Sequence, residues 1–225
     1  MNYATLHARV ANCRQCDRLV QHLKQQRQAV PTHHNAPVPC WGAARPRLLV
    51  VGLAPGAMGA NRTGRGFVGD ASSRFLFHSL VQAKFATNEQ AVTARLRQTR
   101  LTNVVKCLPP GNRPTAAEVS NCRQHLCTEL SAFWGANLRA PRAIVALGGV
   151  AYAATRRALQ QQFDLAKGKR RFVHGDCELL APTLAMFASF HPSPLNTQTG
   201  RLTQAMLNQC FVAARDFIDQ TRHPT

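Results

Sequence analysis

Residues 48–53 read LLVVGL, and the stretch APGAMGANRTGRGFVGD follows directly at residues 54–70. The first stretch contains no polar side chain and has the length of a strand. An apolar run without alternation is typical of a parallel strand that is buried on both faces of a sheet. The segment from residue 52 to residue 70 contains six glycines, which allow a backbone to approach a ligand closely. The sequence therefore predicts a buried strand whose carboxyl end carries a ligand-binding loop.

Three further apolar runs of strand length lie at residues 101–106, 143–147 and 184–190. Helical patterns separate or follow the strands at residues 72–83, 116–133, 150–161 and 203–220. Strands that alternate with helices predict an α/β fold, a three-layer α/β/α sandwich on a central, mostly parallel sheet of four strands. We expect one domain over residues 1–225, with an N-terminal segment at residues 1–46 and an α/β core at residues 47–220.

The chain carries a large excess of positive charge, with 28 Lys+Arg against 10 Asp+Glu and a net charge of +18 at pH 7. This excess favours a polyanionic partner, and nucleic acid is the first candidate because each neutralised phosphate releases counterions. An acidic membrane surface and a basic surface that only maintains solubility are the alternatives. The sequence contains no apolar run long enough to span a membrane and no apolar signal region at its start. We therefore expect a cytoplasmic, monomeric protein that associates with the nucleoid through DNA.

Two more loops follow predicted strands. Residues 106–113 read KCLPPGNR, and residues 191–203 read HPSPLNTQTGRLT. Functional loops of parallel sheets lie at the carboxyl ends of the strands, so both should converge with residues 52–70 on one edge. The glycine-rich loop at residues 52–70 could bind phosphate. However, the usual phosphate-binding motifs, GxxxxGK[ST] and GxGxxG, do not occur in the sequence.

The three loops together resemble the uracil-DNA glycosylase superfamily. The family 5, or type b, enzymes are similar to GLAPGAMGANRTGRGFVGD at residues 52–70 and to HPSPLNTQTGRLT at residues 191–203. The iron–sulfur enzymes of families 4 and 5 resemble NVVKCLPPGNRPT at residues 103–115, with CRQC upstream at residues 13–16. The resemblance covers nearly the whole chain. It implies a monofunctional glycosylase that flips a deaminated base out of DNA and hydrolyses its N-glycosidic bond.

Four of the eight cysteines form a candidate metal site: Cys13, Cys16, Cys107 and Cys122. Four thiolates can hold Zn²⁺ or a [4Fe–4S] cluster, and their spacing alone leaves both open, beside the alternative of four unrelated buried thiols. The resemblance implies a structural [4Fe–4S] cluster that ties the N-terminal segment to the loop after the second predicted strand. The other four cysteines are interpreted as small buried residues.

Two side chains are the leading catalytic candidates. Asp70 is the only carboxylate between Asp17 and Glu89. It suits either a helix N-cap or a carboxylate that orients a water and stabilises a sugar cation, and these roles are compatible. His191, at the end of the fourth predicted strand, suits either local backbone bonding or donation to the oxygen of the leaving uracil. The resemblance favours the catalytic role for both.

The resemblance also implies roles for residues around these two. Asn112 is a further catalytic candidate, and either Asn112 or Asn103 is expected to read the base. Phe67 suits stacking on a flipped base or ordinary core packing. The substrate-binding candidates are Gly52, Ala54, Phe67, Asn103 and Ser193. The DNA-binding candidates are Arg62, Arg65, Leu195 and Arg201. Leu195 is either a wedge that enters the base stack or an incidental exposed leucine. Arg201 is either a phosphate ligand or a solvated charge.

Leu53 and Ala54 are apolar where several other glycosylase families carry a polar or acidic catalytic residue, which predicts a permissive pocket. We therefore expect activity on uracil and on other deaminated bases such as hypoxanthine or xanthine. The alternative function is a non-catalytic iron–sulfur module that recognises uracil or damaged DNA. A small-molecule nucleoside hydrolase would leave the net charge of +18 unexplained.

Overall fold

The structure is a computed structural model that describes residues 3–135, 140–163 and 170–220. The predicted domain span of 1–225 therefore includes residues 1–2, 136–139, 164–169 and 221–225, which lie outside the described residues. The strands are β1 (Trp41–Gly42), β2 (Leu48–Gly52), β3 (Thr99–Asn103), β4 (Arg142–Leu147), β5 (Cys177–Ala181) and β6 (Leu184–Ser189). The helices are α1 (Tyr3–Ala11), α2 (Asp17–Ala29), α3 (Ala60–Thr63), α4 (Ala71–Gln82), α5 (Ala116–Leu130), α6 (Gly149–Phe163), α7 (Pro194–Gln198) and α8 (Gln204–Gln220).

The strands form one six-stranded sheet in the order β1-β3-β2-β4-β6-β5. The four predicted strands are its centre, and all their mutual pairings are parallel. The prediction of a four-stranded sheet is wrong because two antiparallel strands, β1 and β5, flank this centre. β1 has two residues and β5 alternates between exposed and buried positions, so neither shows the continuous apolar run of a central strand.

Alternate residues of the central strands point to opposite faces of the sheet, as strand geometry requires. Leu48 and Val50 of β2 pack on the side of α4 and α8. Leu49 and Val51 pack on the side of α5 and α6. Two apolar cores thus lie between helices and one sheet, which confirms the predicted three layers.

The second predicted strand, 101–106, is shifted, because β3 begins at Thr99 and ends at Asn103. Its first residues are polar, yet Thr99 and Arg100 are buried. The guanidinium of Arg100 donates to the carbonyls of Ala43 at 3.0 Å and of Cys40 at 3.2 Å. These bonds fasten residues 31–47, the approach segment, to the edge of the sheet. No helix in the described part of the chain is long and apolar enough to cross a membrane.

Candidate active site

A cavity of about 570 Å³ opens at the carboxyl edge of the parallel strands. Its walls come from the loop after β2, the end of β3 and the loops after β4 and β6. The predicted convergence of three loops is therefore confirmed, and the loop after β4 joins them. Seven predicted site residues line the cavity: Ala54, Phe67, Asp70, Asn103, Asn112, His191 and Ser193.

The other predicted pocket and DNA residues lie outside this lining: Gly52, Arg62, Arg65, Leu195 and Arg201. Gly52 nevertheless shapes the cavity. A Cβ at this position would lie 2.5 Å from Asn103 Oδ1 and 2.5 Å from Phe67 Cζ. Glycine is needed here because any side chain would occupy the space in which Asn103 and Phe67 pack against the end of β2.

Asp70 both caps α4 and lines the cavity. Its Oδ1 accepts hydrogen bonds from the backbone N–H and the hydroxyl of Ser73, each at 3.0 Å. The backbone N–H of Asp70 donates in return to Ser73 Oγ at 3.2 Å, which completes a capping box. Oδ2 lies on the side of Gly59, where a Cβ would come within 2.3 Å of it. The capping bonds thus engage Oδ1, and Oδ2 lies beside Gly59.

His191 faces Phe67 across the cavity, with ring centroids 6.3 Å apart and planes inclined by 29°. Burial lowers the pKa of His191 below its ordinary value of 6.5, against the opposing effect of the Asp70 charge. The imidazole is consequently neutral at pH 7 and carries one N–H that can donate. The backbone carbonyl of His191 accepts from Asn196 Nδ2 at 2.8 Å, which ties the residue to α7.

Two cavity residues have left-handed backbone conformations. Phe67 has φ of +59° and Asn112 has φ of +57°. Asparagine tolerates this region, whereas a bulky phenylalanine adopts it at a cost of about 1–3 kcal/mol and only when its surroundings enforce it. Strain of this kind concentrates at functional sites, and here it turns the Phe67 ring into the cavity wall.

The four predicted metal ligands come from three parts of the fold. Cys13 and Cys16 lie between α1 and α2, Cys107 follows β3, and Cys122 lies in α5. Burial first, then the charges of Cys122, Cys13 and Cys16, raise the pKa of Cys107 to about 12. The N–H of Lys106 donates to Cys122 Sγ at 3.4 Å. Among the described residues, no three or more His, Cys, Asp or Glu side chains form a group that could hold a metal ion.

The family model described as the uracil DNA glycosylase superfamily matches residues 39–215. The chain belongs to this superfamily. The match contains the whole cavity and leaves out α1, α2 and the segment between them, which carries Cys13 and Cys16.

Curated relatives within the superfamily extend the similarity over most of the chain. A "Type-5 uracil-DNA glycosylase" of Pyrobaculum aerophilum is 41% identical over 203 residues, which cover 87% of this chain and 84% of the relative. A protein of the same name from Mycobacterium tuberculosis is 40% identical, over 93% of this chain and 80% of the relative. Another, from Thermus thermophilus, is 37% identical, over 90% of this chain and 92% of the relative.

In this member of the superfamily, exposed apolar side chains surround the mouth of the cavity. Leu195, beside the lining residue Pro194, is 73% exposed. Met58 and Val150 line the cavity themselves and are 62% and 52% exposed. Sequence analysis missed both. The position of Met58 in the glycine-rich loop indicates that it can line the cavity. Val150 follows the carboxyl end of β4, where functional residues of parallel sheets are expected.

The predicted DNA-binding arginines also make contacts within the glycosylase itself. Arg62 donates to the carbonyls of Met58 at 2.8 Å and Gly69 at 3.1 Å, which braces the glycine-rich loop. Arg65 lies over the Trp41 ring at 4.0 Å, and Arg201 lies over the Phe190 ring at 4.4 Å. Arg62 and Arg201 remain exposed, so their charged groups are accessible from solvent.

Proposed function

We propose that this chain, a uracil-DNA glycosylase of base excision repair, takes an extruded uracil nucleotide into the cavity and hydrolyses its N-glycosidic bond. One observation carries the proposal: Asp70 and His191 line the same cavity at the strand ends. Burial lowers the pKa of His191, which favours the uncharged imidazole there. In a non-catalytic module that only recognises uracil, Asp70 would serve as the N-cap of α4 alone, and its removal would affect stability rather than cleavage.

The two side chains act on opposite ends of the bond that breaks. The C1′–N bond leaves its electron pair on the base, and the N–H of His191 donates to the base oxygen on which charge develops. The carboxylate of Asp70 stabilises the cationic sugar and orients a water, whose oxygen bonds to C1′. The water loses one proton and the departing base anion gains one, so that the products are the neutral free base and a sugar with a hydroxyl on C1′. Asn112 assists at the water, Asn103 reads the base edge and Phe67 stacks on the base.

The cavity suits more than uracil. Leu53 and Ala54 line it with apolar side chains, and its volume of about 570 Å³ leaves room for a purine. Hypoxanthine and xanthine are therefore included among the proposed substrates.

The DNA contacts follow from the charge and from the rim. The net charge of +18 attracts the phosphate backbone in single or double strands. Arg62, Arg65 and Arg201 neutralise phosphates beside the cavity. Leu195, which is 73% exposed, fills the space that the flipped nucleotide leaves in the stack. A single chain carries this whole set of residues, and we propose that the enzyme acts as a monomer.

The cofactor proposal rests on the donor chemistry of Cys13, Cys16, Cys107 and Cys122. A [4Fe–4S] cluster takes one thiolate per iron and so holds four cysteines around a cube. Two of the sulfurs already accept N–H donors, from the Lys106 backbone at 3.4 Å and from Asn121 Nδ2 at 3.8 Å. When bound, the cluster supplies a structural link between the N-terminal helices and the segment after β3.

The Asp70→Asn variant tests the catalytic proposal. Asparagine is as good an N-cap as aspartate, so α4 keeps its cap while the cavity loses its negative charge. We expect single-turnover cleavage of uracil-containing DNA to fall by about 10²-fold or more, the effect of removing one electrostatic stabiliser. The melting temperature and the affinity for undamaged DNA should stay close to those of the wild type.

The matched control is Asp216→Asn, which removes one exposed carboxylate on α8, outside the cavity lining. This control should cleave at the wild-type rate. Near-normal cleavage by Asp70→Asn would remove Asp70 from the mechanism.

Metal analysis tests the cofactor proposal. Protein purified without oxygen should be brown and contain about four irons per chain. Cys107→Ser should lose the colour and most of the iron and melt at a lower temperature. Cys127→Ser alters a buried thiol outside the proposed set, and this variant should keep the colour and the iron. Stoichiometric zinc without iron would contradict the proposal.

A further inference from the structure

The side chain of Asp70 is held in place by Ser73, which donates two hydrogen bonds to Oδ1. We propose that Ser73 is a positioning residue, whose hydroxyl fixes the plane of the Asp70 carboxylate so that Oδ2 faces the reacting water. This inference rests on the proposed role of Asp70.

The hydroxyl of Ser73 makes two bonds to one residue. It donates to Asp70 Oδ1 at 3.0 Å and accepts from the Asp70 backbone N–H at 3.2 Å. Ser73 is only 5% exposed and lies in the first turn of α4, so its own position is fixed by the helix. Oδ1 therefore receives two donors, the hydroxyl and the backbone N–H of Ser73, from one rigid element.

The opposite side of the carboxylate is bounded by glycines. Oδ2 would lie 2.3 Å from a Cβ at Gly59 and 3.4 Å from a Cβ at Gly56. Both glycines line the cavity together with Asp70. Rotation of the carboxylate out of its plane would break the bonds to Ser73. The free oxygen is thus held toward the cavity, where a water can reach it.

Helix capping uses the hydroxyl as well, because it accepts from the Asp70 backbone N–H in the capping box. The cap bond from the backbone N–H of residue 73 to Oδ1 would survive almost any side chain at that position. Alanine at residue 73 would keep this bond and lose both bonds of the hydroxyl, the one to Oδ1 and the one from the Asp70 N–H. The weaker cap would lower the melting temperature, whereas a lost positioning role would lower the saturating rate of the folded protein, so the two measurements separate the roles.

The experiment compares Ser73→Ala and Ser73→Thr with a matched control, Ser79→Ala. Ser79 is a fully buried serine of the same helix, and its hydroxyl donates to Asn208 Oδ1 at 2.7 Å, outside the cavity lining. Each variant is measured by its melting temperature, its saturating single-turnover rate and the protein concentration at half-saturation. Each rate is expressed per folded enzyme molecule. The concentration of folded enzyme is measured by titration with DNA that carries a non-cleavable uridine analogue.

We expect Ser73→Ala to lower the saturating rate by about 10-fold or more, since a displacement of about 1 Å in a reacting geometry can cost about 10²-fold. Its half-saturation concentration should not change. Ser73→Thr, which keeps a hydroxyl, should restore most of the rate. Ser79→Ala should lower the melting temperature and leave the rate intact.

The outcomes separate this inference from the function on which it rests. A normal rate for Ser73→Ala beside a slow Asp70→Asn would overturn the positioning role and leave the role of Asp70 standing. An equal loss of rate in Ser73→Ala and Ser73→Thr would show that the hydroxyl is not responsible. A normal rate for Asp70→Asn would instead remove Asp70 from the mechanism and overturn this inference with it, and a wild-type protein that does not cleave uracil-containing DNA would overturn the proposed function.

Discussion

Asp70 and His191 are recognisable from sequence because each ends a segment that the fold brings to the cavity. Their partners are harder to find. Ser73 is one of two adjacent serines in a predicted helix, and only the rotamers decide that its hydroxyl bonds to Asp70 Oδ1. Gly59 is likewise one of six glycines between residues 52 and 70, and only the folded loop places it against Oδ2.

We predict that Gly59→Ala disables the glycosylase without unfolding it. The new Cβ would lie 2.3 Å from Oδ2 and 2.8 Å from Cγ of Asp70, so the carboxylate must leave its position. Single-turnover cleavage should fall by about 10²-fold, the scale of a 1 Å displacement of a catalytic group. Gly66→Ala, in the same loop, meets its nearest atom at 3.7 Å and should retain activity. Equal rates for the two variants would contradict the prediction.

The central strands and the long helices could be predicted because continuous apolar runs and helical periodicity survive in the sequence. The edge strands could not, since β1 is too short and β5 is only half-buried. The start of β3 was missed for another reason. Thr99 and Arg100 are polar, and their burial depends on hydrogen bonds formed only in the tertiary structure, such as those from Arg100 to the approach segment.

The segment after β3 is joined to α5 by a buried ion pair. Lys106 Nζ donates to Glu129 Oε2 at 2.8 Å and to Thr102 Oγ1 at 2.7 Å, with Lys106 1% and Glu129 2% exposed. Lys106→Met should lower the free energy of unfolding by about 3–5 kcal/mol, because it leaves the buried carboxylate unpaired. The double variant Lys106→Met, Glu129→Gln should recover much of this loss. Urea denaturation measures both, and a double variant less stable than the single one would refute the argument.

At the scale of the whole molecule, the rule that functional loops follow strand ends predicts where the cavity lies. The sequence predicts three of its loops, and the structure adds Gly148 after β4 together with the first turn of α6. The cluster remains a prediction at this scale. Its four cysteines come from three separate parts of the chain, and their spacing does not define a geometry.

We predict that the folded state loses stability as the pH falls below about 6.5. Burial lowers the pKa of four histidines in the folded state: His7, His125, His174 and His191. In the unfolded chain these side chains bind protons near their ordinary pKa of about 6.5, so the unfolded state takes up more protons as the pH drops. The melting temperature should therefore decrease steadily from pH 7.5 to pH 5.5. A constant or rising melting temperature over this range would contradict the prediction.

The capping box at the start of α4 bears on how related sequences should be judged. An aspartate that stabilises a helix can be retained in a homologue that is no longer catalytic. Its presence in a homologue is therefore weak evidence of activity. The glycine opposite Oδ2 is more informative, since a capped helix alone gives no reason to keep position 59 without a Cβ.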